Sequence, residues 1–152
     1  MTKYLVFDVG GTNVKYGWMD RSGQLISKAH FRTPTTSLTA FLTAIQVILD
    51  DQRGHYAGVA FSIPGKVHHP DDVIYGGGSL PFLDQQRLSD LLTVPAGVPV
   101  TVENDGKAAA IAEWWLGNLK GYRSGAAIVL GTCPGGRLIL KDRLVTGGHF
   151  QA

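Results

Sequence analysis

The sequence predicts a mixed α/β fold, and three observations carry that reading. Apolar runs of strand length open the chain and are joined by turn-forming clusters. An apolar periodicity of three to four residues follows over residues 38–50. A continuous apolar run over 57–63 then has the composition of a strand covered on both faces. With 152 residues, 44% of them hydrophobic, the chain can bury a core as one domain with the start of another.

In order, Tyr4 Leu5 Val6 Phe7 leads into Asp8 Val9 Gly10 Gly11 Thr12, and a second apolar run covers 14–19. This pattern predicts a hairpin. Two adjacent glycines permit φ > 0 and remove the Cβ atoms that hold a ligand away, so the amides of residues 10–13 can converge on an anion, with Thr12 adding a hydroxyl donor. Asp8 ends the strand. A carboxylate beside a phosphate makes physical sense when a hydrated Mg²⁺ bridges them. The competing reading is a plain glycine turn in which Asp8 and Thr12 only satisfy backbone groups. A third strand over 24–32 follows the turn cluster Asp20 Arg21 Ser22 Gly23, and Lys15 is read as a surface lysine.

Pro34 breaks the pattern, and Thr35 Thr36 Ser37 supply N-caps for a helix over 38–50 whose apolar face holds Phe41, Leu42, Ile45, Ile48 and Leu49. Pro64 Gly65 ends the buried strand. Gly65 Lys66 is not a Walker loop, since Ala60 stands at the first glycine position and Val67 at the Ser or Thr position. His68 His69 Pro70 Asp71 Asp72 reads as a hairpin tip, because neighbouring residues on an extended segment point apart and the two histidines do not share an ion. Gly76 Gly77 Gly78 Ser79 lets the backbone approach a small polar ligand closely. A short helix is predicted over 85–92, then a strand over 100–103 and an Ala-rich helix running to about residue 119, on which Ile111, Trp115 and Leu116 supply apolar contacts. Asp105 falls at that helix start, where free amides and the dipole favour a carboxylate, and its bland role is the N-cap with Asn104 finishing a turn. Strands over 126–130 and 137–140 flank Gly131 Thr132 Cys133 Pro134 Gly135 Gly136, repeating the opening logic of strand, glycine turn, strand.

Lys and Arg number 14 against 12 Asp and Glu, with no basic run longer than two, so the pI of about 8.8 implies no nucleic-acid partner. The single Cys133 excludes an internal disulfide framework, and no basic region precedes an apolar stretch of signal-peptide type. No apolar run reaches the length of a membrane span, and a cytoplasmic protein with no membrane partner is expected.

Taken together, Asp8-x-Gly-Gly-Thr12, Pro64 Gly65, Glu103 Asn104 Asp105 Gly106 before an Ala-rich helix, Leu130 Gly131 Thr132 with Gly135 Gly136, and Gly147 Gly148 His149 resemble the ROK family of sugar kinases and related repressors, within the actin-like ATPase superfamily. The order and spacing of these pieces are far more specific than any one of them. The resemblance covers residue 3 to the last residue. It implies an actin-like, ribonuclease H-like domain with a mixed sheet, opening antiparallel hairpins and helices on both faces. Residues 1–120 would be the N-terminal lobe and 121–152 the beginning of a second.

The implied activity is ATP-dependent transfer of the γ-phosphoryl to a hexose hydroxyl, most often the 6-hydroxyl. Asp105 is implied as general base, with Asn104, Gly65, Gly78 and Ser79 at the sugar. Asp8, Gly10, Gly11, Thr12, Gly131 and Thr132 are implied at ATP, and Mg²⁺ at Asp8 through water. The chain departs from the family at Ser79, where Asn is usual, and at Cys133 and Pro134, where the family has glycine and an aliphatic residue. Pro134 removes an amide donor and restricts Cys133. The chain stops before the family's Glu and His at the sugar and before its zinc site, so zinc is not assignable to it. Half of a two-lobed clamp predicts weak binding, and exposed apolar surface predicts a homodimer or self-association. The alternatives are a non-catalytic sugar-binding or dimerising remnant and a repressor lacking its DNA-binding segment.

Overall fold

The computed structural model describes residues 2–69, 71–130 and 134–145. The opening hairpin of the sequence becomes the centre of its main sheet. β1 (Lys3–Val9) pairs antiparallel with β2 (Asn13–Asp20), which pairs antiparallel with β3 (Leu25–Arg32). α1 (Leu38–Asp51) starts where the sequence places it, because the Ser37 side chain accepts from the Ala40 amide. β4 (Val59–Ile63) then lies parallel to β1, with Leu5 opposite Val59 and Asp8 opposite Ser62. β5 (Lys66–His68) and β6 (Val73–Tyr75) form a separate hairpin.

After a short 3₁₀ turn over Pro81–Leu83, α2 covers Leu88–Ala96 and β7 covers Val100–Asn104. The helix expected over 85–92 is therefore shifted towards the C-terminus and takes in Pro95. A proline in the last turn is tolerated here, and the helix ends at Gly97 in the left-handed region, whose amide donates to Thr93 O and Val94 O. The five-stranded sheet has the order β3-β2-β1-β4-β7 and is mixed.

Alternation along β1 and β4 buries Leu5, Phe7, Val9, Val59, Phe61 and Ile63. These residues join Phe41, Ile45 and Leu49 of α1 and Leu88 and Leu92 of α2 in one apolar cluster. The rings of Phe7 and Phe61 stack at 4.6 Å across the parallel pair. This core holds the ends of β1 and β4 in register, which fixes Asp8 beside Ser62.

The contacts divide the chain into two units, Met1–Glu103 and Asn104–Ala152. In the second, α3 (Asp105–Trp115) is followed by β8 (Gly125–Leu130), β9 (Pro134–Leu140) and β10 (Arg143–Leu144), in sheet order β10-β9-β8. β9 starts three residues earlier than the sequence reading, with Pro134 at the first strand position that proline tolerates. α3 is shorter than expected, ending at Trp115. The residues it buries are Gly106, Lys107 and Ala110, whereas Ile111, Trp115 and Leu116 are exposed. No helix is long and apolar enough to cross a membrane among the described residues.

The turn between β2 and β3 is built on Asp20, which is buried and accepts from the Ser22 hydroxyl at 2.6 Å, the Ser22 amide at 2.8 Å and the Gln24 amide at 3.0 Å. Chiefly through the Ser22 hydroxyl, these donors hold its carboxyl below the ordinary 3.8. A depressed folded value stabilises the fold above the unfolded value and loses that contribution as pH falls through the folded one. Asp20→Asn is therefore expected to be less stable than the parent at neutral pH, with the gap closing below pH 3.8. Urea melts of both proteins across pH 2–7 test this, and a pH-independent gap would assign the effect to something other than the charge.

Candidate active site

Three glycine-containing turns of the first unit come together. Asp8, next to last in β1, has its carboxylate exposed, accepting from the Ser62 hydroxyl at 3.2 Å and pairing with Lys15 at 3.5 Å. The hairpin turn closes on itself, since the Gly10 amide donates to Asn13 O at 3.0 Å. That amide is therefore not among those aimed at an anion, which corrects the expectation for Gly10. The amides of Gly11 and Thr12 meet no acceptor among the described residues. A Cβ on Gly11 would lie 2.9 Å from Ser79 Oγ, so the turn and the Ser79 segment touch through the missing side chain. A Cβ on Gly65 would lie 2.9 Å from Gly77 N, and one on Gly78 would lie 2.9 Å from Pro64 Cβ. Gly65, Gly77 and Gly78 all have positive φ, so glycine is required here for both conformation and space.

Thr33 pins this arrangement from a distance. Its hydroxyl donates to Gly10 O at 2.7 Å and its amide donates to Thr12 O at 2.9 Å, with the residue buried. Among the described residues no group of three or more His, Cys, Asp or Glu side chains is placed to hold a metal. Asp8 offers one accessible carboxylate beside an amide-rich turn. That donor set suits Mg²⁺, which keeps most of its waters and takes its other oxygens from phosphates. The His68 and His69 pair does not converge. His68 Nδ1 lies 2.6 Å from Asp71, while His69 faces Asp72 at 2.9 Å and Glu103 at 3.1 Å. Glu103 thus anchors the β5–β6 tip, and the histidines are half-buried.

In the second unit, β7 passes into α3 with no intervening residue. The N-cap is Asn104, correcting the assignment of the cap to Asp105: Asn104 Oδ1 accepts from the Lys107 amide at 3.1 Å. Asp105 occupies the first helical position. Its Oδ1 accepts from the Gly106 amide at 2.7 Å and from Asn104 Nδ2 at 2.9 Å, while Oδ2 accepts from nothing among the described residues. The carboxylate is thus held at one oxygen and presented at the other. Gly131 and Thr132 lie outside the described residues, as do Cys133 and the segment 147–149.

The ROK family model matches residues 4–152. The chain belongs to the ROK family. It is 31% identical over 150 residues to a β-glucoside kinase of Listeria monocytogenes, covering 99% of this chain and 51% of that protein. It is 34% identical over 145 residues to a glucokinase of Streptomyces coelicolor, covering 94% and 45%. Among solved structures, a ROK glucokinase from Streptomyces griseus in complex with glucose and AMPPNP superposes with a TM-score of 0.84 at 27% identity, covering 99% of this chain and 48% of that one. The chain spans about half the length of these relatives, and the actin-like ATPase fold expected from the resemblance is its fold.

The ROK motifs are distributed over both units. Asp8, Gly10, Gly11, Thr12, Gly65, Gly78 and Ser79 fall in the first, and Asn104 and Asp105 in the second. Sequence reasoning missed Thr33, which lies just past the end of β3 and gives no local signal. It also missed Arg137, which reads as an ordinary strand residue yet has its Nη2 2.7 Å from Asn104 Oδ1.

The glycine assignments are separable by substitution. Gly65→Ala must accept φ of +95° and a 2.9 Å backbone contact, whereas Gly76→Ala meets φ of +80° and nothing within 4 Å. Gly65→Ala is expected to lose about 1–3 kcal/mol and Gly76→Ala distinctly less. Equal losses in denaturant titrations would show that contact with Gly77 is not what requires glycine at residue 65.

Proposed function

We propose that this chain is the ATP- and sugar-binding part of a ROK-type kinase that transfers the γ-phosphoryl of ATP to a hexose hydroxyl, most often the 6-hydroxyl, with Asp105 as general base. The observation that carries the reading is the Asp105 carboxylate, fixed through Oδ1 by the Gly106 amide and Asn104 and unengaged at Oδ2 among the described residues. A base held this way takes the hydroxyl proton without losing its orientation, as phosphoryl transfer requires. Support comes from the relatives, a β-glucoside kinase and a glucokinase by name, and from the glucose and AMPPNP complex of a structural neighbour.

In this reading the Gly11 and Thr12 amides and the Thr12 hydroxyl receive phosphate oxygens, with Gly131 and Thr132 acting from the sequence after β8. Gly65, Gly78 and Ser79 of the first unit are assigned to the sugar, and so is Asn104 of the second, whose carboxamide also caps α3. Mg²⁺ would be held through water by Asp8 and, when bound, neutralises phosphate charge. Lys15 and Ser62 meanwhile orient the Asp8 carboxylate from its flanks. Residues 1–120 would then form the N-terminal lobe and 121–152 the start of the second.

Asp105→Asn keeps the shape and removes the base. Turnover in a coupled ADP-release assay with Mg²⁺-ATP and glucose, mannose, fructose, N-acetylglucosamine or N-acetylmannosamine is expected to fall by about 10²–10⁴-fold, with sugar affinity retained. Undiminished turnover in the variant would remove Asp105 from the chemistry, and no turnover of the parent with any of these sugars would remove the activity from this chain.

A specific observation also favours self-association. Ile128, Leu138 and Leu140 are 75%, 45% and 50% exposed, and Ala126 opposite Leu138 places them on one face of the β8–β9 pair. Sedimentation is expected to show association that rises with concentration and weakens in Ile128→Lys. A single monomeric species at all concentrations would reject it.

A further inference from the structure

We infer that Arg137 is a positioning residue for the phosphoryl acceptor site, setting the orientation of the Asn104 carboxamide and, through it, that of Asp105. The inference rests on the general-base reading of Asp105. Arg137 lies on β9 directly after Gly135 Gly136, and its guanidinium is bound at two nitrogens. Nη1 donates to Gly136 O and Nη2 to Asn104 Oδ1, both at 2.7 Å. The group rests against the first turn of α3, since a Cβ on Gly106 would lie 3.7 Å from Arg137 Cζ. Its Nε is buried with no acceptor among the described residues.

A cation at a helix N-terminus faces the positive end of the helix dipole, where a carboxylate is the favoured charge. With a buried Nε as well, Arg137 is held at an electrostatic and desolvation cost, which its acceptors must offset. The short, charge-assisted bond to Asn104 is the one that reaches the acceptor site.

The chemistry of the carboxamide explains what this bond does. An asparagine has one end that accepts and one that donates, and its orientation follows from its neighbours. A guanidinium offers donors only, and so does the Lys107 amide. Both face the same atom of Asn104, which must therefore be Oδ1. Nδ2 is then turned to Asp105 Oδ1, leaving Asp105 Oδ2 for the acceptor hydroxyl. Loss of Arg137 removes the charge-assisted donor from Oδ1, and a rotated carboxamide would set its oxygen against the Asp105 carboxylate. Arg137 also joins the backbone beside the glycine pair of the second phosphate turn to the general base.

The test uses the 152-residue chain with Arg137→Met, which keeps length and removes every donor, and Arg137→Lys, which keeps the charge and point-like donors. In the methionine variant the side-chain amide resonances of Asn104 and the carboxyl carbon resonance of Asp105 are expected to move. kcat should fall about ten- to a hundredfold, the range of a hydrogen bond to a charged group, while KM for Mg²⁺-ATP holds within about twofold. Arg137→Lys should recover part of the rate. Added guanidinium should restore Arg137→Ala, whose truncated side chain leaves room for it, and leave Asp105→Asn unaffected, an outcome that a purely structural role would not produce. Unmoved Asn104 and Asp105 resonances in a folded Arg137→Met overturn the proposal, as does an undiminished rate. Should the methionine variant melt early, unchanged resonances and rate in Arg137→Lys at a site requiring two forked donors overturn it equally. If the parent chain phosphorylates none of the sugars, the general-base reading fails, and the resonances still decide the role of Arg137.

Discussion

Among the described residues the Asn104 carboxamide makes at least three hydrogen bonds, and the geometry at the start of α3 depends on them. It receives the Lys107 amide and the Arg137 guanidinium at Oδ1 and donates from Nδ2 to Asp105. The first bond satisfies one of the amides that a helix start leaves open, typically worth about 1 kcal/mol. The other two fix a carboxylate at the first helical position, where the dipole already favours negative charge. One side chain thus ends β7, begins α3 and orients the Asp105 carboxylate. Its burial, at 7% exposure, keeps water from competing for those bonds.

In the first unit the governing constraint is close backbone approach. The parallel pairing of β1 and β4 places Asp8 opposite Ser62, and the chain then turns at Pro64 Gly65 against Gly77 and Gly78. Side chains at these glycines would force the turns apart, and a side chain at Gly11 would displace Ser79. The apolar cluster of Phe7, Phe61, Phe41 and Ile45 supports this arrangement from below, and Thr33 anchors the hairpin turn through Gly10 O. Rigid strands carry the loops, and the loops carry the polar chemistry.

Much of this was legible in the sequence. β1 to β4 and α1 follow from local period and from a serine cap that needs only its own neighbourhood. The Asp8 to Thr12 turn and the Glu103 to Gly106 junction are visible because their residue types are uncommon in that order. What stayed hidden depends on partners far along the chain. The role of Thr33 arises from a residue 23 positions away and that of Arg137 from one 33 away. The helix containing Pro95 was misplaced because a local rule treats proline as a stop, although its last-turn position makes that tolerable. Asn104 was passed over as the cap because both it and Asp105 favour that position, and only geometry decides between them. The apolar residues of α3 were misread because the helix turns Gly106, Lys107 and Ala110 inward and leaves Ile111 and Trp115 exposed, a phase that its weak apolar period does not reveal.

The direct passage from β7 to α3 has a further consequence. With Asn104 closing the strand and Asp105 opening the helix, no loop residue separates sheet register from helix phase. Each residue of a helix turns it by about 100°, so one inserted residue here would swing the carboxylate to another side and move it off its cap. The turn between β2 and β3, by contrast, joins two neighbouring antiparallel strands, of which β3 is at the sheet edge. Length is therefore as strictly specified as residue type at the junction that bears Asp105, and the chain's tolerance of insertions should be lowest at a point where no side chain is bulky.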